Sequence, residues 1–289
     1  MRLPFLPLSF FCVALGISAA KAWNFANLLW ILFAFIGGLS AHLAVNLYNE
    51  WDDHRTGLDA ALTRTPISGG SGALGKCPEA AKLVHLAAWF FVAVCLISGG
   101  ILAWHAGTWT GLGLLALGIL CILTYARFGV KSPLAGLLLP GLGFGPSMCL
   151  GTSLALQGDD PLLMILSMTV PFLLASLLLL LGQIPDAAVD ARFGRRSFVI
   201  VYGLSWTRRV VGILLALSAA TPFIAWIVGV YPVSALLVIP LILLGYFSLP
   251  FIRESGPRLL TGLMILAAIC VLVPGLLALV LALAGSATR

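Results

Sequence analysis

Long apolar stretches separated by short polar connections fill almost the whole chain. Nine of these stretches approach the roughly 20 apolar residues that a helix needs to cross a bilayer. They lie near 3–20, 26–48, 81–104, 108–126, 134–157, 161–184, 208–230, 233–250 and 259–284. The pattern predicts an all-α polytopic membrane protein: one domain over residues 1–289, with nine transmembrane helices around a central cavity.

Polar residues recur at helical spacing in two of these stretches, so each set shares one helix face. The two sets are His42, Asn46, Asn49 and Asp53 in the second stretch, and Gln183, Asp186 and Asp190 at the end of the sixth. A polar stripe on a membrane helix faces the bundle interior or a wet cavity. For Asn46 or Gln183 taken alone, hydrogen bonding between helices is an equally good interpretation.

The two polar sets also match each other when the chain is shifted by 137 residues. The shift superimposes Asn49 on Asp186, Asp53 on Asp190, and Gly57 on Gly194. This correspondence favours an internal duplication, with motifs at 46–59 and 183–196. If the two acidic faces point at each other, their oxygens suit a divalent metal, most naturally Mg2+ carrying a diphosphate. The predicted ligands are Asn49, Asp53, Asp59, Asp186 and Asp190.

Composition excludes an ordinary soluble domain, since 61% of the residues are hydrophobic and only 9% are charged. The basic residues alternate in their placement: fourteen fall on connections of one side, and only Lys21 and Arg289 on the other. This asymmetry predicts a cytoplasmic N-terminus and an integral protein of the bacterial inner membrane, with both acidic motifs on the cytoplasmic side. Much of the net charge of +6 therefore comes from basic residues that set the orientation in the membrane. We therefore expect membrane lipid as a partner, but no nucleic acid; the oligomeric state is left open.

Several cations and amides near the acidic motifs are candidates for binding a diphosphate, which needs Arg or Lys as well as metal. They are Arg64 and Lys131 first, then Arg195 or Arg196, together with Asn46. Arg64 precedes a run of small residues, 65–72, which is either a flexible linker or a lid whose backbone amides close over phosphate oxygens. Tyr125, at the end of the fourth stretch, is either an interfacial aromatic residue or a ring facing the reaction centre.

These residues resemble a known family, the UbiA superfamily of intramembrane prenyltransferases. The segments 46–59 and 183–197 are similar to its two Asp-rich motifs, and the resemblance extends along the whole chain. Gly57-Leu-Asp59 and Gly143-Phe-Gly-Pro146 fit the branch that prenylates 1,4-dihydroxy-2-naphthoate in menaquinone biosynthesis. The chain departs from the family pattern at Gln183, Pro185 and Ser197, and it has no acidic residue near 136–138.

The resemblance implies Mg2+-dependent transfer of a polyprenyl group from its diphosphate to an aromatic acceptor such as 1,4-dihydroxy-2-naphthoate, with two or more Mg2+ ions. The implied catalytic residues are Asn49, Asp53, Asp186, Asp190 and Tyr125. Alternatives keep the fold: a membrane terpene cyclase, or transfer to another acceptor such as 4-hydroxybenzoate or homogentisate. An ion-coupled transporter is disfavoured, because transporter carboxylates lie near the bilayer midplane, whereas these lie at predicted helix ends.

Overall fold

The computed structural model describes residues 5–253 and 256–287. Every regular element in those two ranges is helical, which confirms the predicted all-α class. Arg2, Arg289 and the first residues of the predicted first span lie outside the described ranges.

Twelve α-helices are present in the described part of the chain. In order they are α1 (Leu6–Ala19), α2 (Leu28–Arg55), α3 (Leu58–Ala61), α4 (Ala73–Lys76), α5 (Ala81–Ala106), α6 (Trp109–Tyr125), α7 (Pro133–Leu142), α8 (Gly151–Ala155), α9 (Pro161–Arg192), α10 (Phe198–Ile227), α11 (Val238–Leu244) and α12 (Pro257–Ala287). A π-helical segment, Gly143–Leu150, joins α7 to α8. Short 3-10 turns cover Phe25–Asn27, Pro78–Ala80, Gly129–Lys131, Val233–Leu237 and Gly245–Arg253.

Seven helical stretches in the described chain are long and apolar enough to cross a membrane. The helices α1 and α6 are apolar but shorter, and at about 1.5 Å per residue the 14 residues of α1 reach only ~21 Å. This is less than the roughly 30 Å of a hydrocarbon core. The seven long apolar helices make this an integral membrane protein. Because α1 and α6 are shorter, the count of nine spans stays a prediction.

Helix α9 is the central element of the bundle, and it packs against α1, α7, α10 and α12. Its leucines Leu174, Leu177, Leu180 and Leu181 are completely buried. On the outside, large apolar side chains are exposed, with Trp104 at 87% and Trp109 at 88%. Such exposure suits contact with lipid, so the sequence is apolar both in the core and on the outer surface.

Glycines allow the α7–α8 segment to lie directly against α9. A Cβ added to Gly141 would stand 2.3 Å from Ser176 Oγ, and one added to Gly145 would stand 2.7 Å from Met168 O. Small residues of this kind let two membrane helices pack closely. The close packing brings α7 next to α9, the helix that carries Asp186 and Asp190.

The spans predicted near 161–184 and 208–230 leave a long connection, over 186–207, after the sixth span, and this prediction is wrong. Helix α9 continues to Arg192 and α10 begins at Phe198, which leaves five residues between them. The residues after 197 are apolar enough to stay helical, and Gly203 alone leaves helical geometry, with φ 75° and ψ 172°. The acidic residues of the second motif are therefore held on a rigid helix.

We expect Gly141→Ala to lower the melting temperature of the protein in detergent, because the new methyl group overlaps the backbone and side chains of α9. Overpacking of this kind costs about 1–3 kcal/mol. Gly143→Ala is the matched control, since its Cβ would meet nothing closer than Cys121 Cβ at 3.9 Å. Equal melting temperatures for the two variants would contradict the close packing.

Candidate active site

The two acidic motifs occupy the C-terminal ends of α2 and α9. Each helix is followed by a glycine in the left-handed region, Gly57 with φ 79° and Gly194 with φ 74°. A glycine there ends a helix without the steric penalty that a side chain brings. The equivalent glycines thus stop both helices at the same point relative to their carboxylates.

One arginine connects the two motifs directly. Arg195 Nη2 donates to Asp53 Oδ1 of the first motif, and Arg195 Nη1 donates to Asp190 Oδ1 of the second at 3.4 Å. Because both nitrogens belong to one rigid guanidinium fork, the two carboxylate oxygens lie within roughly 8 Å of each other. The helix ends therefore converge, as the two polar stripes predict.

The other predicted metal ligands surround this ion pair. Asn49 Nδ2 donates to Asp53 Oδ2 at 3.0 Å, and Asp186 Oδ2 accepts the backbone N–H of Gly69 at 3.1 Å. Asp59 lies slightly apart and pairs with Arg64 at 3.6 Å. The four aspartates are all buried. Within 5–253 and 256–287, however, no three His, Cys, Asp or Glu side chains are arranged around a common point as a ready ion cage.

The glycine-rich segment 65–72 lies over the carboxylates. Besides the Gly69 contact, Ser71 donates its N–H to Glu50 Oε2 at 3.2 Å and its hydroxyl to Glu50 Oε1. Gly69, Gly70 and Gly72 have positive φ, so the chain turns tightly enough to present backbone amides inward. The structure therefore favours the lid over the flexible linker, while closure on phosphate stays a prediction.

Glu50 makes a contact with Ser71 that the sequence analysis did not predict. It belongs to the first acidic cluster, but nothing in the local pattern indicates that it faces residue 71. The structure buries Glu50 beneath the segment 65–72, where its carboxylate holds Ser71 through two hydrogen bonds. It is therefore a positioning residue for the segment.

A cavity of about 270 Å³ begins at Asp53, Asp186 and Asp190 and extends into the bundle. On α2 its lining runs from Asp53 back to Ala34, which is ~28 Å of helix at about 1.5 Å per residue. Below the acidic end the walls are mostly apolar, with many small residues contributed by α2, α5, α6 and α7. The site thus combines a charged mouth with a long apolar chamber.

The remaining predicted residues divide between the cavity and its rim. Asn46, Tyr125 and Arg195 line the cavity. Arg64, Lys131 and Arg196 are exposed and are not among the lining residues. Lys131 follows the lining residue Val130, and Arg196 precedes the lining residue Ser197. The backbone N–H of Arg196 donates to Val130 O at 2.9 Å.

The model of the UbiA prenyltransferase family matches residues 9–257. A curated relative, 1,4-dihydroxy-2-naphthoate octaprenyltransferase of Bacillus subtilis (strain 168), is 27% identical over 226 residues, covering 78% of this chain and 70% of that protein.

Two solved structures have a similar fold. The apo structure of a UbiA homolog from Aeropyrum pernix K1 is 18% identical with a TM-score of 0.69, covering 93% of this chain and 98% of that one. A UbiA homolog from Archaeoglobus fulgidus bound to GPP and Mg2+ is 16% identical with a TM-score of 0.59, covering 96% of this chain and 99% of that one.

We expect Glu50→Gln to speed tryptic cleavage after Arg64 by about tenfold, because hydrogen bonds to a charged group contribute about 1.5–3 kcal/mol and hold the segment closed. Cleavage rates of the purified protein check this. Glu79→Gln makes the same change at an exposed glutamate nearby and is expected to leave the rate unaltered. Equal rates for both variants would show that Glu50 does not hold the segment.

Proposed function

The chain belongs to the UbiA prenyltransferase family, and from this membership we propose that it catalyses Mg2+-dependent transfer of a polyprenyl group from its diphosphate to an aromatic acceptor, such as 1,4-dihydroxy-2-naphthoate. The observation that carries the proposal is the convergence of Asp53 and Asp190 on Arg195 at the mouth of an apolar cavity. The naphthoate prenyltransferase relative and the homolog bound to GPP and Mg2+ support it.

The donor set fits a magnesium site. The side chains at the two helix ends offer carboxylate and amide oxygens, the ligands that Mg2+ takes. The Arg195 guanidinium lies between Asp53 and Asp190, so this position already accommodates a positive group. We assign two or more ions to Asn49, Asp53, Asp59, Asp186 and Asp190. When bound, Mg2+ neutralises the charge that develops on the departing diphosphate.

Basic residues at the same mouth would bind the diphosphate oxygens. Arg195 is within the cavity and would exchange its carboxylate partners for phosphate, a ligand that suits its planar fork. Lys131 and Arg196 stand beside the lining residues Val130 and Ser197, and their exposed side chains are long enough to fold inward. Arg64 and Asn46 complete the proposed set.

The apolar chamber would protect the reactive group. The C–O bond of the prenyl diphosphate breaks with its electron pair leaving on the diphosphate, and the resulting allylic cation reacts with water unless water is excluded. The small residues along the cavity leave room for an isoprenoid chain. Tyr125 lines the same cavity, where its ring face would stabilise the cation. The acceptor carbon then bonds to the cation and releases a proton.

The position of the carboxylates favours an enzyme over ion-coupled transport. They lie at the ends of α2 and α9, whereas transporter sites lie near the bilayer midplane. We place this end on the cytoplasmic side of a bacterial inner membrane, as the basic residues predict. Soluble acceptors would then enter from the cytoplasm, and the prenyl chain would come from the lipid.

We expect Asp53→Asn, Asp186→Asn and Asp190→Asn each to reduce Mg2+-dependent pyrophosphate release by about 100-fold or more, because each removes a charged ligand aimed at the leaving group. Release is measured with purified protein, a prenyl diphosphate and 1,4-dihydroxy-2-naphthoate, and folding is checked by melting temperature. Asp159→Asn, an exposed aspartate outside the acidic motifs, is the matched control.

Full activity in all three motif variants would refute the metal assignment. The melting temperature is needed for Asp186→Asn as well, because Asp186 also accepts the backbone N–H of Gly69. Mass spectrometry of the products separates the remaining alternatives. A prenylated naphthoate supports transfer, a cyclised hydrocarbon identifies a cyclase, and a different prenylated phenol identifies another acceptor.

A further inference from the structure

We propose that Gln183 and Ser197 bind a hydroxyl group of the aromatic acceptor, so that the enzyme selects acceptors by a free phenolic O–H. This inference rests on the proposed prenyl transfer and names the groups that recognise the second substrate. Neither residue is needed for metal or diphosphate binding in that proposal.

Gln183 carries an unused hydrogen-bond acceptor at the cavity wall. It lines the cavity, and its Nε2 donates to Gly136 O at 3.5 Å, which directs the carboxamide oxygen away from α7. That oxygen, Oε1, is buried and has no hydrogen-bond partner among the described residues. Buried polar atoms are almost always hydrogen-bonded. A ligand that donates a hydrogen bond is therefore the natural partner of Gln183 Oε1.

Ser197 adds a second unused group near the segment 129–130 of the cavity wall, because the N–H of the preceding Arg196 donates to Val130 O at 2.9 Å. Its side chain is 4% exposed, its Oγ has no partner in the described chain, and the residue lines the cavity. A hydroxyl both donates and accepts. Ser197 can therefore bind a phenolic oxygen in either sense, whereas Gln183 Oε1 only accepts.

A run of close contacts through two glycines leads from Tyr125 to Gln183. A Cβ added to Gly136 would lie 2.9 Å from Gly129 O and 3.5 Å from Gln183 Nε2, and one added to Gly129 would lie 3.1 Å from Tyr125 Cδ2. Tyr125, Gly129, Gly136 and Gln183 thus follow one another in space, and all four line the cavity. These close contacts place Gln183 and Tyr125 on the same wall of the cavity, where both can meet one aromatic acceptor.

The depth of Gln183 suits the acceptor and not the diphosphate. It precedes Asp186 by one helical turn and Asp190 by two, which places it ~4.5 Å and ~10 Å deeper along α9. A prenyl diphosphate with its charged head at the carboxylates has its reactive carbon at about this level. A carbonyl oxygen that accepts the phenolic O–H also increases electron donation into the ring, which favours attack on an allylic cation.

This arrangement predicts discrimination between a phenol and its methyl ether. An ether has no proton to donate, so it leaves Gln183 Oε1 without a partner, and sites built to bind a hydroxyl reject such analogues strongly. With 1,4-dihydroxy-2-naphthoate and its two mono-O-methyl ethers as probes, we expect kcat/KM of the wild-type enzyme to fall at least about tenfold for one ether.

Gln183→Met and Ser197→Ala test the assignment. We expect each to raise KM for 1,4-dihydroxy-2-naphthoate by about tenfold, to leave KM for the prenyl diphosphate within about twofold, and to reduce the discrimination against the ether. The melting temperature of Ser197→Ala is expected to stay level or rise, because that change removes a buried polar atom that has no partner among the described residues. Gln183→Met also removes the Nε2 donor to Gly136 O, so its readout is the loss of ether discrimination, which a purely structural role of Gln183 would leave unchanged.

Ser176→Ala is the matched control for Ser197→Ala. Ser176 is 1% exposed and its Oγ also lacks a partner among the described residues, but it does not line the cavity. If Ser176→Ala raises the acceptor KM as much as Ser197→Ala, or if Gln183→Met keeps the wild-type discrimination, the acceptor site is wrong while prenyl transfer stands. If the wild-type enzyme releases no pyrophosphate with Mg2+ and prenyl diphosphates, both proposals fail.

Discussion

The structure depends on how a bundle with an apolar core and an apolar outer surface accommodates several buried carboxylates at one end. An isolated buried charge is costly, so each carboxylate must meet cations or hydrogen-bond donors in place. Arg195 meets this requirement for Asp53 and Asp190 together, and the amides of the segment 65–72 meet it for Asp186 and Glu50. These contacts join α2, α9 and the segment into one charged mouth.

The charged mouth and the apolar chamber divide the chemistry between them. In the proposed reaction, metal, diphosphate and basic side chains would share the helix ends, where their charges offset one another. The reacting carbon and the prenyl chain would lie below, where the walls are mostly apolar and carry many small residues. Gln183 and Tyr125 line the cavity between these regions, where the proposed aromatic acceptor would meet the allylic carbon.

Some features were predictable because they depend on local spacing. The positions of Asn49, Asp53, Asp186 and Asp190 at helix ends follow from intervals of three and four residues, and the structure brings Asp53 and Asp190 to one arginine. The connection between the spans predicted near 161–184 and 208–230 was predicted too long, because α9 continues to Arg192 and α10 already begins at Phe198, where an apolar stretch interrupted by Gly203 stays largely helical. The hydrogen bonds between Glu50 and Ser71 join residues 21 positions apart, so no helical periodicity in the sequence indicates them.

By itself the sequence determined that this is a helical membrane protein with two matched acidic helix faces, since apolar length and helical periodicity are written locally along the chain. Only the tertiary structure decided which cation stands between the two motifs, which glycines lie beside Tyr125, and which polar atoms of Gln183 and Ser197 are buried without a partner among the described residues. Those outcomes depend on the relative rotation of distant helices and on the path of a glycine-rich segment, and neither is set by any single stretch of residues.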